Sequence, residues 1–345
     1  MDENTLYIAG VPVARGERKT VELPIAKLYT HTGFAMPVHV VRGKREGEVL
    51  FVSAAVHGDE LNGVEIIRRL LRSQALKRLR GTLIAIPIVN VYGFTNHSRY
   101  LPDRRDLNRS FPGSASGSLA ARLAHIFMEQ IVARCSYGID IHTGALHRSN
   151  LPQIRANLDD PRTAELAKAF GVPVLINADT RDGSLREAAA ELGIVSLLYE
   201  AGEALRFDEV SIRAGVRGVM NVMRVLAMLP GGRSGGSRLP APVVARSTSW
   251  VRAPDSGIVR SLAKLGARVS RNQVLGIVSD SFGERETPVV NVADGIVIGL
   301  NNLPLCNEGD ALYHIARFRG VTRAIDSIES FHETLRPDGN ASEPT

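Results

Sequence analysis

Two histidines and a glutamate carry the first chemical signal. In HGDE, His57 and Glu60 stand three residues apart, and in YGIDIHTG an apolar run ends on His142. At a strand-to-helix turn that spacing lets an imidazole nitrogen and a carboxylate oxygen reach one ion. Zinc takes such ligands at about 2.0–2.2 Å, and catalytic sites typically use three protein ligands and leave one position open. An HxxE pair alone is a weak signal. With the DxHTG strand end behind it, His57, Glu60 and His142 form a candidate metal site for one Zn2+ per chain. Asp140 precedes His142 by two residues, so in a strand both side chains share a face. Its carboxylate can accept the second ring N–H of a zinc-bound histidine, with His57 the first candidate. A three-ligand zinc lowers the pKa of bound water to roughly 7 and polarises a carbonyl, which is hydrolytic chemistry. Structural zinc is usually closed by four protein ligands, often cysteines, so this set argues against a non-catalytic zinc-bound scaffold. Cys135 and Cys306 match no CxxC spacing, and neither a thiolate site nor a disulfide framework is expected.

The elements that must position these groups are legible as periodicity. VLFVSAAV, from Val49 to Val56, reads as a buried strand, and LNGVEIIRRLLRS reads as a helix, with HGDE between them. GTLIAIPIVN from Gly81 is a second strand, and YGIDIHTG from Tyr137 is a third, preceded by the amphipathic helix LAARLAHIFMEQIVA. A helix over Pro161 to Phe170 and a strand over Val172 to Asn177 follow. Next, Ser184 and Glu187 form a capping box before a helix that stops at Gly193. IVSLLYEAGE is a further strand with Glu200 near its end. Alternating strands and helices predict an α/β domain with a largely parallel sheet. Ligands in such sheets lie outside the carboxyl ends of the strands, so separate strands deliver His57/Glu60, His142 and Glu200 to one rim. Residues 1–46 read as short strands and turns at the edge of the same domain.

LPGGRSGGSRLP, from Leu229 to Pro240, is Gly/Ser/Pro-rich and aperiodic, as a connection between domains would be. The expected organisation is a hydrolase domain over 1–229, a linker over 230–240, an all-β domain over 241–318 and a polar tail over 319–345. Within the β part, APDSGIVRSLAKLGARV echoes VADGIVIGLNNLPLC, aligning Gly257-Ile258-Val259 with Gly295-Ile296-Val297. Two such units resemble the biotinyl/lipoyl-type barrel-sandwich module, but the connecting DSFGERETPV has no lysine for cofactor attachment.

The chain has 345 residues, 44% of them hydrophobic and 23% charged, with a formal charge of +6. This is ordinary globular composition. Its arginines are scattered, with no basic run interleaved with aromatics, so nucleic-acid binding is not expected. No apolar stretch reaches the roughly 18 residues of a membrane span, and the N-terminus lacks the regions of a signal peptide. The expectation is a cytoplasmic protein that acts on a small molecule, with no membrane partner. Its oligomeric state is unreadable, although the β module offers a face on which a homo-oligomer could pack.

HGDELNG, then RDLNRSFPG, then DIHTG, in order between about Val49 and Glu203, resemble the succinylglutamate desuccinylase/aspartoacylase family. That resemblance implies a zinc carboxypeptidase-like mixed sheet flanked by helices, with the attached β module. It also implies a zinc amidohydrolase that removes an N-acyl group, acetyl or succinyl, from a small amino-acid-like substrate. By the same resemblance Glu200 is the general base and acid, Asn108 and Arg109 hold the substrate carboxylate, and Arg99 stabilises the developing oxyanion. A guanidinium fork suits a carboxylate. Arg155 either contacts the substrate or makes a structural ion pair. His97 and His147 have no assigned role, and Asp106 orients the arginine-rich loop. A zinc carboxypeptidase acting on short peptides is the nearest alternative.

Overall fold

The computed structural model describes residues 5–178, 182–231, 241–319 and 321–335. Four mutually parallel strands form its centre, in the spatial order Arg80–Ile86, Arg45–Ala54, Tyr137–Gly144 and Val195–Glu203. Both faces of these strands are covered, so they are near-continuous apolar runs. In the second of them Leu50, Val52 and Ala54 enter one core, while Phe51 enters the other, the two-residue alternation of a strand. Helices Asn62–Arg72, Pro161–Phe170 and Glu209–Val225 close the first core. Helices Leu119–Gln130 and Leu185–Glu191 close the second.

Local chemistry marks the helix ends as expected. Asp160 caps the helix that begins at Pro161, Ser184 Oγ accepts from Glu187 N, and Gly193 takes a left-handed φ of 73° just past the helix end. The Glu187 carboxylate reaches Gly183 N, at 2.7 Å.

The sheet is mixed, and less parallel than the alternation of elements suggested. Arg18–Lys27 and Gly33–Arg42 form a long antiparallel hairpin on one side, where short strands were expected. On the other side Arg148–Ala156 runs antiparallel to Val195–Glu203. Because Arg148–Ala156 follows Tyr137–Gly144 through a tight turn, no helix can cross over, and the chain must return antiparallel.

Strands that follow the Gly/Ser-rich stretch join this same sheet. Gly295–Asn301 pairs with Arg148–Ala156, and Val243–Ala245 pairs with Val174–Asn177. The repeated Gly-Ile-Val units begin two of the strands, Gly257–Ser261 and Gly295–Asn301. The first lies in a four-stranded sheet, and the two sheets share a core that includes Val278, Val289, Val297 and Tyr313. Of the linker expected over 230–240, residues 232–240 lie outside the described residues.

The C-terminal tail expected over 319–345 needs correction. Val321–Leu335 is a helix, with Phe331 and Leu335 buried in the core that contains Leu197 and Val219. Its apolar positions recur at helical spacing, at Ala324, Ile328, Phe331 and Leu335. Residues 336–345 of that expected tail lie outside the described residues. No helix among the described residues is long and apolar enough to cross a membrane.

This anchoring generates a test. Phe331→Ala removes a fully buried ring and is expected to destabilise the chain by about 3 kcal/mol, read as a lowered urea midpoint. A dispensable tail would leave the midpoint unchanged.

Candidate metal centre

His57, Glu60 and His142 converge beyond the carboxyl ends of the central strands. Ala54 is in register with Ile141, so the chain leaves one strand towards His57 close to where the next strand reaches His142. The HGDE turn is closed by Glu60 N donating to His57 O at 3.1 Å. Gly58 is required there, because a Cβ would lie 2.0 Å from the Gly93 carbonyl carbon. Asn62 ties the following helix to the Val195–Glu203 strand by donating from Nδ2 to Ala201 O at 3.1 Å.

The three side chains are at most 4% exposed. His57 Nδ1 lies 2.8 Å from Glu60 Oε1, His142 Nδ1 lies 2.9 Å from Glu60 Oε2, and the two Nδ1 atoms are 3.2 Å apart. Tetrahedral ligands at about 2.1 Å from one zinc would be about 3.4 Å from each other, so the donor set fits a single divalent ion. Ring orientation agrees. His57 Nε2 meets Asp106 Oδ1 at 3.0 Å, and His142 Nε2 meets Asp140 Oδ2 at 2.6 Å. With each Nε2–H directed at a carboxylate, each Nδ1 presents its lone pair to the centre. Asp140 thus partners His142, where the sequence favoured His57. Two residues along one strand face the same way, whereas His57 is met from Asp106, 49 residues further along the chain. Ser53 Oγ donates to Asp140 Oδ1 at 2.7 Å, which holds that carboxylate in place.

The electrostatics also call for a cation. Burial alone would lower the pKa of both imidazoles, yet Glu60 and Asp106 raise that of His57, while Asp140 and Glu60 raise that of His142 well above its ordinary value. Burial would raise the Glu60 pKa, but the two histidines hold it well below the usual carboxylate range. Arg99 closes the cluster, with Nη1 donating to Glu60 Oε1 at 3.2 Å and Nη2 to Asp106 Oδ2 at 3.0 Å.

Glu200 is in parallel register with His142, so both side chains leave the same face of adjacent strands, whose spacing is about 4.8 Å. Asn150 Nδ2 donates to Glu200 Oε2 at 3.1 Å. Arg155 Nε lies 3.0 Å from the same oxygen, an ion pair whose N–H points away from the hydrogen-bond direction. Of the two readings open for Arg155, the ion pair is the one present. Asn108 and Arg109 are not in contact with the metal cluster. Asn108 Oδ1 accepts from Leu185 N at 2.9 Å, and the exposed Arg109 donates from Nη1 to Asn108 O.

Gln153 went unnoticed in the sequence. It is opposite Glu200 on the next strand, fully buried, and among the described residues neither its Nε2 nor its Oε1 has a partner. A polar residue in PQIRANL carries no spacing signal; only the strand register places it beside Glu200.

Residues 46–226 match the family model for the succinylglutamate desuccinylase/aspartoacylase catalytic domain. The N-alpha-acetyl-L-2,4-diaminobutyric acid deacetylase of Halomonas elongata is 27% identical over 314 residues, which cover 86% of this chain and 90% of that protein. Among solved structures, a succinylglutamate desuccinylase/aspartoacylase from Rhodobacter sphaeroides is 26% identical and superposes with a TM-score of 0.79, covering 88% of this chain and 97% of that one. The product-bound ectoine utilization protein EutE (DoeB) from Ruegeria pomeroyi shares the fold, with 22% identity, a TM-score of 0.80 and coverage of 91% and 99%.

Two substitutions test the site. Asp140→Asn is expected to weaken zinc binding by about 10–100-fold in chelator competition; unchanged affinity would refute its role in orienting His142. Gln153→Leu removes a buried unsatisfied amide and should raise stability by about 1 kcal/mol in denaturant unfolding. A loss of stability would show that the amide has a partner within the fold.

Proposed function

The chain belongs to the succinylglutamate desuccinylase/aspartoacylase family, and from that premise we propose that it is a zinc-dependent amidohydrolase that removes an acetyl- or succinyl-type group from the nitrogen of a small amino-acid-like substrate. The observation that carries this reading is the convergence of His57, Glu60 and His142 on one point, with the separate carboxylate of Glu200 beside them on the adjacent strand. His57, Glu60 and His142 would hold the ion. When bound, zinc supplies Lewis-acid polarisation of the scissile carbonyl and makes water acidic enough to ionise near neutral pH.

In the proposed reaction Glu200 takes a proton from the attacking water as its oxygen bonds to the acyl carbon. It then passes that proton to the amine nitrogen as the C–N bond breaks, and the new carboxylic acid gives its remaining proton to the amine, so that a carboxylate and an ammonium leave. Asn150 and Arg155 hold the Glu200 carboxylate for both transfers. Arg99, within hydrogen-bond reach of Glu60, would donate to the developing oxyanion in this reading. Donors of that kind contribute roughly 3–4 kcal/mol to barrier lowering. In this reading Asn108 and Arg109 turn towards the substrate carboxylate when it binds.

The Halomonas relative's name specifies an acetylated diamino acid, which supports a small N-acyl substrate over a peptide. We include in the proposal a cytoplasmic location, a hydrolase domain over 1–229 and a barrel-sandwich module over 241–318 without cofactor attachment.

Purified protein is expected to contain about one zinc per chain and to hydrolyse at least one member of a panel of N-acetyl and N-succinyl amino acids. Glu200→Ala should keep its zinc while kcat falls by about 10²–10⁴-fold, measured by metal analysis and amine release. A Glu200→Ala protein with unimpaired turnover would overturn the proton-shuttle role. Cleavage of peptides alone would replace the substrate class with that of a carboxypeptidase.

A further inference from the structure

Arg148 begins the strand that returns from the metal centre. Its backbone packs against the end of the His142 strand so closely that a Cβ on Gly144 would lie 2.0 Å from Arg148 O. Its guanidinium carbon sits 4.6 Å from the centroid of the Trp250 ring, which comes from the β part of the chain. The Trp250 ring in turn stacks on His314, with centroids 4.5 Å apart and planes within 7°.

Strand register places this stack relative to the catalytic groups. Trp250 pairs with His314, His314 with Gly299, and Gly299 with Asn150, the residue whose amide donates to Glu200. Gly299 has no side chain in the way: a Cβ there would be 3.0 Å from Asn150 Oδ1 and 3.6 Å from Trp250 Cη2. The indole therefore lies across Gly299 towards Asn150.

What Arg148 lacks is an anion. Among the described residues its buried Nε has no hydrogen-bond partner, and no carboxylate forms an ion pair with it. Burial and the nearby positive charges of Arg99 and Arg252 lower its pKa, and Asp310 raises it. Two guanidiniums that feel each other at a half-buried site, one already paired with Glu60 and Asp106, leave the other open to an incoming carboxylate. The aromatic face pre-orients the planar fork while leaving its N–H edge available, an arrangement that suits arginine and not lysine.

We propose that Arg148, held flat by the Trp250 ring of the β part, is the anchor for a carboxylate carried by the substrate, so that the β part completes the substrate site. This rests on the deacylase reading for the identity of the ligand. The carboxylate could belong to the amino-acid portion or to the far end of a succinyl group, and the same chemistry serves both.

The test uses the full, zinc-loaded chain with Arg148→Gln, Arg148→Lys, Trp250→Phe and Trp250→Leu, and four substrates: acetyl and succinyl derivatives of one amino acid and of its α-carboxamide. Arg148→Gln should raise KM about tenfold or more for the carboxylate-bearing substrates, with unchanged zinc content and melting temperature. Arg148→Lys should recover only part of this loss, and Trp250→Leu should shift in the direction of Arg148→Gln further than Trp250→Phe, which keeps an aromatic face. A penalty confined to the α-carboxylate series assigns the anchor to the amino acid, and one confined to the succinyl series assigns it to the acyl group. An equal penalty on all four substrates, or none, overturns the proposal. Calorimetric titration with succinate gives a reading independent of turnover: at least tenfold weaker binding to Arg148→Gln than to wild type supports the anchor, whereas equal binding, or no binding to wild type, overturns it. That arm holds even if no acyl amino acid is cleaved, which would refute the deacylase reading alone.

Discussion

Two buried imidazoles turned towards each other, with a carboxylate wedged between them, form the constraint on which the rest of this molecule depends. The two Nδ1 atoms lie 3.2 Å apart and each lies within 2.9 Å of a Glu60 oxygen, a crowding of donor atoms in a low-dielectric interior that one divalent ion between them would satisfy. The surroundings sharpen that demand, since Asp106 and Asp140 face the outer nitrogens and leave the inner ones free to coordinate. Each part of the fold near this point helps to hold the arrangement. The central strands end together, Gly58 lets the HGDE turn press against a neighbouring backbone, and Ser53 fixes the carboxylate behind His142.

The loop between the Arg80–Ile86 strand and the Leu119–Gln130 helix brings both signs of charge to the centre. Asp106 accepts from His57 and from Arg99, and the same carboxylate caps the short turn at Asn108. One aspartate therefore couples the orientation of a metal-ligand candidate to the position of the arginine nearest the cluster. The loop is fixed in turn by the segment before the Leu185–Glu191 helix, through Leu185 N to Asn108 Oδ1 and Phe111 N to Gly183 O. Motifs far apart in the chain are thus parts of one hydrogen-bonded assembly, in which the effects of single substitutions are not expected to add.

The β part is integrated with the hydrolytic part through the sheet. Gly295–Asn301 extends it beside Arg148–Ala156, so residues from after the Gly/Ser-rich stretch lie one strand from Asn150 and two from Glu200. The C-terminal helix adds Phe331 and Leu335 to the core beneath the central strands. Both contacts join chain segments more than a hundred residues apart, which makes the relative placement of the two parts a property of packing and hydrogen bonding and not of the connecting stretch.

The sequence by itself determined the central strands, the helices with their caps, and His57, Glu60, His142 and Glu200 as candidates for one rim, because each rests on local chemistry or on a short motif at a strand end. Apolar periodicity, capping residues and an HxxE spacing act over a few residues and can be read in one dimension. Only the tertiary structure decided that Asp140 partners His142 while Asp106 partners His57, that Arg155 pairs with Glu200, that Arg109 faces solvent, that Gln153 stands opposite Glu200 and that Arg148 lies over Trp250. It also decided that 321–335 is a packed helix. Those outcomes depend on strand register and on which loop crosses which strand end. Apart from Asp140 and His142, two residues apart on one strand, such pairings join residues distant in the chain, and no spacing along the chain encodes them.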